Sequence, residues 1–99
     1  MYSIGILTNE QSLRQIMQID AEMRRCANIT YLPYTSPEHL RFLYEQNGDK
    51  FDALLFSGSY PYNVIRKQFP AVDEIPHAYF NISDRDYYKL VAQLAVQNP

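Results

Sequence analysis

The chain has 99 residues, of which 46% are hydrophobic and 20% are charged, and its formal net charge is -2. This length suits one domain with a modest core, and the composition excludes wholesale disorder and fibrous repeats. The slight negative charge argues against a general nucleic-acid binder, because nonspecific affinity for the phosphate backbone comes from clustered Lys and Arg.

The sequence also disfavours a membrane protein and a secreted, disulfide-bonded protein. No apolar run approaches the roughly 20 residues that span a bilayer, and the N-terminus lacks the basic start and hydrophobic region of a signal peptide. Cys26 is the only cysteine, so no internal disulfide can form. We therefore expect a cytoplasmic protein with no membrane partner, in which residues 1–99 form a single α/β domain.

The first predicted unit is a strand followed by a helix. Residues 2–7 are short and apolar, which predicts strand one, and Thr8 and Asn9 can end the strand and cap a helix. Apolar residues then recur at spacings of three and four, which predicts helix one over residues 10–25. The apolar stripe of this helix comprises Leu13, Ile16, Ile19, Met23 and Cys26.

The second unit has clearer boundaries. Asn28–Tyr34 is rich in β-branched and aromatic residues, but Pro33 lacks an amide donor and would interrupt a central ladder, so an edge strand is predicted. Ser36 is a good N-cap and Pro37 suits the first helical position. These signals predict helix two over residues 37–46.

The third and fourth units complete the pattern. Residues 51–56, FDALLF, are the most apolar short run, as expected of a central strand buried on both faces. The loop 57–62, SGSYPY, precedes a short helix predicted over residues 63–69. Residues 77–82 are predicted as strand four, and SDRD at 83–86 is typical of a helix start. The stripe of helix four comprises Tyr87, Leu90, Val91 and Leu94.

Four β-α units in succession predict a three-layer α/β/α fold of flavodoxin or Rossmann type, with a four-stranded parallel sheet in the order 2-1-3-4. This order places a topological switch between strands one and three, where ligands bind beyond the carboxyl ends of strands. Four strands are fewer than the five typical of flavodoxin-like domains. We therefore expect the N-terminal domain of a longer protein, or a homodimer in which a second copy covers a sheet edge.

The residues after strands one and three are the candidate ligand site. Free amides at a helix start can hold a carboxylate or phosphate, and the serine hydroxyls of the third loop can add to them. Two tyrosines flanking Pro61 could form an aromatic wall. Structural roles remain open for all of these residues: caps, a glycine turn, and tyrosine packing. The predicted ligand-binding residues are Thr8, Asn9, Ser57, Gly58, Ser59, Tyr60, Tyr62 and Asp84.

Catalytic and metal chemistry are not indicated. His39 and His77 belong to no recognisable set of metal ligands, so no metal is expected. The GxxxxGK[ST] and GxGxxG nucleotide motifs are missing, and no activated nucleophile can be identified. The sequence predicts a non-enzymatic domain without catalytic residues or a cofactor.

Three segments carry a family resemblance: SIGILT at 3–8, FDALLFSGSYPY at 51–62 and IPHAYFNISDRDYYKL at 75–90. Together they resemble N-terminal sensory domains of bacterial transcription regulators, including the sensor domain of propionate-catabolism regulators and regulators of Gram-positive bacteria. The resemblance implies sensing of a small-molecule effector, dimerisation, and DNA binding only through a separate domain outside this chain. Two alternatives remain: a structural dimerisation module of a multidomain protein, and one half of a two-domain α/β enzyme.

Overall fold

The computed structural model describes residues 2–79 together with Val91 and Ala95. Its centre is a four-stranded sheet in which every pairing is parallel and the strand order is β2-β1-β3-β4. The predicted order 2-1-3-4 and the parallel α/β class are therefore confirmed. The strands are β1 Ser3–Asn9, β2 Asn28–Tyr34, β3 Ala53–Phe56 and β4 His77–Tyr79. The helices are α1 Glu10–Ile16, α2 Asp20–Arg24, α3 Pro37–Asn47 and α4 Ser59–Gln68, with 3₁₀ turns at Met17–Ile19 and Pro70–Glu74.

The sheet is covered on both faces, which gives the predicted three layers. Successive side chains of a strand point to opposite faces, so β3 contributes Leu55 to one core and Phe56 to the other. On one face, β1 and β3 pack against α1, α2 and Val91. On the other, they pack against α3 and α4. The first core contains Ile4, Ile6, Ile16, Met23, Ala27, Ile29, Ala53, Leu55 and Val91. The second contains Leu7, Leu32, Tyr34, Leu40, Leu54, Phe56, Ile65 and Val72.

The strand register brings the carboxyl ends of β1, β2 and β3 to one level. Leu7 of β1 lies opposite both Leu32 and Phe56, and one step later the amide of Ser57 donates to the carbonyl of Leu7 at 3.1 Å. At the end of β2, Tyr34 lies opposite Asn9. The residues that follow these three strands therefore meet at one edge of the sheet.

Helix one is predicted as a single helix over residues 10–25, but the structure divides it. Ile19 leaves helical geometry at φ -115° and ψ 20°, and α2 begins at Asp20. The carboxylate of Asp20 accepts hydrogen bonds from the Tyr31 hydroxyl at 2.5 Å and from Arg24 Nε at 2.9 Å. The break therefore lies directly before the residue that joins this part of the chain to Tyr31 of β2.

Helix α4 begins at Ser59, four residues before the predicted start, so most of the predicted 57–62 loop is helical. Pro61 falls in the first turn, where a missing amide hydrogen costs little because that group has no intrahelical acceptor. The 3₁₀ turn Pro70–Glu74 was not predicted. Strand four beyond residue 79 and Asp84 lie outside the described residues, and of the stripe predicted for helix four only Val91 is described; it is buried. No helix in the described ranges is long and apolar enough to span a bilayer.

Candidate functional site

A cavity of about 270 Å³ opens at the carboxyl edge of the sheet, between the ends of β1 and β2 and the start of α4. We call it the carboxyl-edge cleft. Five of the eight predicted site residues line it. Its lining residues are Asn9, Ser12, Tyr34, Ser57, Gly58, Ser59, Tyr60 and Pro61.

The start of α4 leaves backbone donors open at the cleft. The N-cap residue Gly58 has φ 131° and ψ 169°, a conformation that is essentially restricted to glycine, and no side chain caps this helix. Pro61 has no amide hydrogen, so the amides of Ser59 and Tyr60 are the free helical donors of the first turn. Neither finds an acceptor within the part of the chain that the structure describes.

Ser57, which precedes the N-cap residue Gly58, adds a hydroxyl group to the lining of the cleft. The residue is 9% exposed, and its Oγ is buried without a hydrogen-bond partner among the described residues. A buried polar group without a partner costs about 1–3 kcal/mol, so native structures rarely keep one without a reason. The Ser57 hydroxyl is therefore a hydrogen-bonding group that the described residues leave unused.

The opposite side of the cleft is formed by the ends of β1 and β2. Asn9 caps α1, since its Oδ1 accepts a hydrogen bond from the amide of Ser12 at 2.8 Å. Tyr34 is buried, and burial is the main reason that its pKa is raised; a hydrogen bond with the Asn9 side chain opposes the rise, and the neighbouring Tyr60 phenol adds to it. The Tyr34 phenol is therefore protonated at neutral pH and can donate or accept a hydrogen bond.

Thr8 and Tyr62 do not line the cleft. Thr8 is fully buried, and its hydroxyl donates to the carbonyl of Asn9 at 3.2 Å. Tyr62 follows Tyr60 by two residues on α4, which turns it by about 200° around the helix axis. The predicted wall of two tyrosines is thus reduced to Tyr60, which is 58% exposed.

Tyr62 belongs instead to a second cluster, on the side of α4 that faces β4. Its ring lies nearly parallel to those of His77 and Tyr79, with centroid separations of 5.2 and 4.9 Å. Its hydroxyl donates to Asp73 Oδ1 at 2.5 Å, and Arg66 Nε donates to Asp73 Oδ2 at 2.8 Å. These two donors lower the pKa of Asp73, and the hydrogen bond to Asp73 raises that of Tyr62. This cluster ties α4 to the turn that follows it.

Ser12, Tyr34 and Pro61 line the cleft but were not predicted as ligand-binding residues. Tyr34 could have been predicted, because it ends the strand next to strand one in the predicted order and therefore lies at the same edge as Asn9. Ser12 lies in the first turn of α1, three residues after its cap Asn9, so the predicted helix start was the signal that could have identified it. Among the described residues, His, Cys and carboxylate side chains form no group of three that could hold a metal ion.

No protein-family model matches the chain, and none of the curated proteins compared with it matches either. The residues of the carboxyl-edge cleft are therefore the basis on which a function can be inferred.

Proposed function

We propose that this chain is a ligand-sensing regulatory domain that binds a small polar or anionic metabolite in the carboxyl-edge cleft. The observation that carries the proposal is the buried Oγ of Ser57, which has no hydrogen-bond partner in the described part of the chain, next to the open amides of Ser59 and Tyr60. Backbone donors at a helix start and the positive end of the helix dipole together favour an electron-rich ligand group.

Recognition is better supported than catalysis. A serine nucleophile requires an adjacent base, and the Oγ of Ser57 contacts none among the described residues. The resemblance to sensory domains of bacterial transcription regulators supports the regulatory part of the proposal. In that arrangement the protein acts in the cytoplasm as a homodimer and reaches DNA through a separate domain.

A thermal-shift screen of small metabolites tests ligand binding. A ligand at 100 times its Kd stabilises the folded state by about 2.7 kcal/mol, which raises Tm measurably. We expect at least one polar or anionic metabolite to raise the Tm of the wild-type chain and to lose this effect in Ser57→Ala. The matched control is Ser36→Ala, at the start of α3 and outside the cleft, which should keep the response.

Two results would contradict the proposal. A Tm increase of equal size in wild type and Ser57→Ala would place the binding elsewhere, and no increase across metabolite classes would remove the sensing function. The dimer is tested separately by light scattering across a range of protein concentrations. A strict monomer, with and without the ligand, would exclude the homodimer.

A further inference from the structure

The charge and donor pattern of the carboxyl-edge cleft narrow the class of ligand, an inference that rests on the proposed function. We infer that the cleft binds a small monocarboxylate, whose oxygens accept hydrogen bonds from Ser57 Oγ and the amides of Ser59 and Tyr60. The same site discriminates against doubly charged anions such as sulfate and against neutral polar molecules.

The charge of the lining is the first reason. Its described residues include no Lys, Arg or His, so the positive end of α4, equivalent to about half an elementary charge, is the cationic feature of the cleft. The basic residues of α4, Arg66 and Lys67, lie in its last turn, about 10 Å along the axis from Ser59. Removing a dianion from water without a full positive charge nearby is costly, whereas a monoanion is better matched to this field.

The number of backbone donors is the second reason. A helix start normally offers a third free amide at the third position, but here Pro61 removes it. The two helical amides that remain suit the two oxygens of a planar carboxylate, and the Ser57 hydroxyl can donate to a further lone pair. The planar pair of carboxylate oxygens therefore matches the two backbone donors, whereas a tetrahedral dianion would depend on side-chain hydroxyls for its other oxygens.

The volume of the cleft and its two tyrosine rings indicate what the part of the ligand beyond the carboxylate is like. The cleft volume of about 270 Å³ lies just below the 300–1,000 Å³ of typical ligand pockets, which favours a small metabolite. The rings of Tyr34 and Tyr60 offer apolar surface with hydroxyl tips. They fit a short carbon chain that carries a polar substituent.

The test is an NMR titration of the ¹⁵N-labelled chain with three probes at matched ionic strength: acetate, its neutral isostere acetamide, and sulfate. We expect acetate to shift the amide resonances of Ser59 and Tyr60 saturably and at lower concentration than either other probe. Ser57→Ala should weaken acetate binding by about tenfold, the typical effect of losing a hydrogen bond to a charged group. Ser36→Ala should bind acetate as wild type does.

The possible outcomes separate this inference from the proposed function. Sulfate or acetamide binding as tightly as acetate would overturn the monocarboxylate class and leave a ligand site in place. If no probe shifts these resonances while the thermal-shift screen still finds a Ser57-dependent metabolite, the inference fails and the proposed function stands. If the screen fails as well, both are wrong.

Discussion

Helices α3 and α4 begin at the same edge of the sheet, but their first turns are satisfied in different ways. At α3, the Oγ of Ser36 accepts a hydrogen bond from the amide of His39 at 3.0 Å, and Glu38 places an acidic side chain in the first turn. At α4, the N-cap is Gly58, with no capping hydrogen bond and no acidic residue in the first turn. The start of α3 is capped by its own side chain, whereas the start of α4 has free amides that find no acceptor among the described residues.

The largest expected effect of a substitution at these two helix starts is that of Gly58→Ala. A side chain at φ 131° and ψ 169° is strained, and such conformations cost about 1–3 kcal/mol. We expect the free energy of unfolding, measured by urea denaturation, to fall by this amount. The control is Ser59→Ala, at an exposed helical position, which should change stability by no more than about 0.5 kcal/mol. Equal stabilities for the two variants would show that the backbone at residue 58 relaxes freely.

Ser36→Ala tests the self-capped helix. Removing the side-chain acceptor leaves the amide of His39 without its partner, which costs about 1 kcal/mol at an N-cap. Urea denaturation should show this loss without any effect on ligand binding. If Ser36→Ala lost ligand binding, the start of α3 would contribute to the cleft, and the two helix starts would not be independent.

Ser59→Asp should make α4 resemble α3. A carboxylate in the first turn interacts favourably with the helix dipole and should stabilise the chain by about 0.3–1 kcal/mol at low salt. It should also weaken binding of added acetate, because it competes for the same donors. Ser59→Asn is the uncharged control. If Ser59→Asn stabilises the chain as much as Ser59→Asp does, the helix dipole is not the cause of the gain. The same conclusion follows if high salt does not reduce the gain in Ser59→Asp.

Ser57→Ala has the smallest expected effect on stability. Its Oγ makes no hydrogen bond in the described structure, so the methyl group of alanine removes a desolvated hydroxyl without breaking a contact. We expect the free energy of unfolding to stay within about 0.5 kcal/mol of wild type or to rise slightly. A loss above about 1 kcal/mol would show that the hydroxyl is already satisfied in the free protein.

The sheet could be predicted because its signals are local and strong. The run FDALLF is apolar at five of its six positions, which favours a strand covered on both faces, and its last four residues form β3. Pro33 assigned β2 to an edge, which it occupies. Ser36 and Pro37 marked the start of α3 to the residue, since cap and first-position signals require no tertiary contact.

Two helix boundaries could not be predicted, one because it involves a tertiary contact and the other because no local sequence signal marks it. The break between α1 and α2 coincides with a hydrogen bond from Tyr31, eleven residues away from Asp20. The start of α4 was predicted too late because Gly58 and Pro61 read as loop residues and no capping side chain marks the boundary. Because residues 59–62 were predicted as a loop, their positions around the helix axis could not be predicted. In the structure these positions place Tyr60 in the cleft and Tyr62 against Asp73.

The contacts of Asp73 have a kinetic consequence for the cleft. Through Tyr62 and Arg66, this carboxylate joins α4 to the turn after it, while Tyr62 also packs edge-on against Phe56 of the central strand. Tyr62 lies next to the first turn of α4, so its contacts hold the amides of Ser59 and Tyr60 in place, and little ordering entropy would oppose binding of the proposed ligand. Association of that ligand would need no slow conformational step, and differences in affinity between ligands would lie mainly in their dissociation rates.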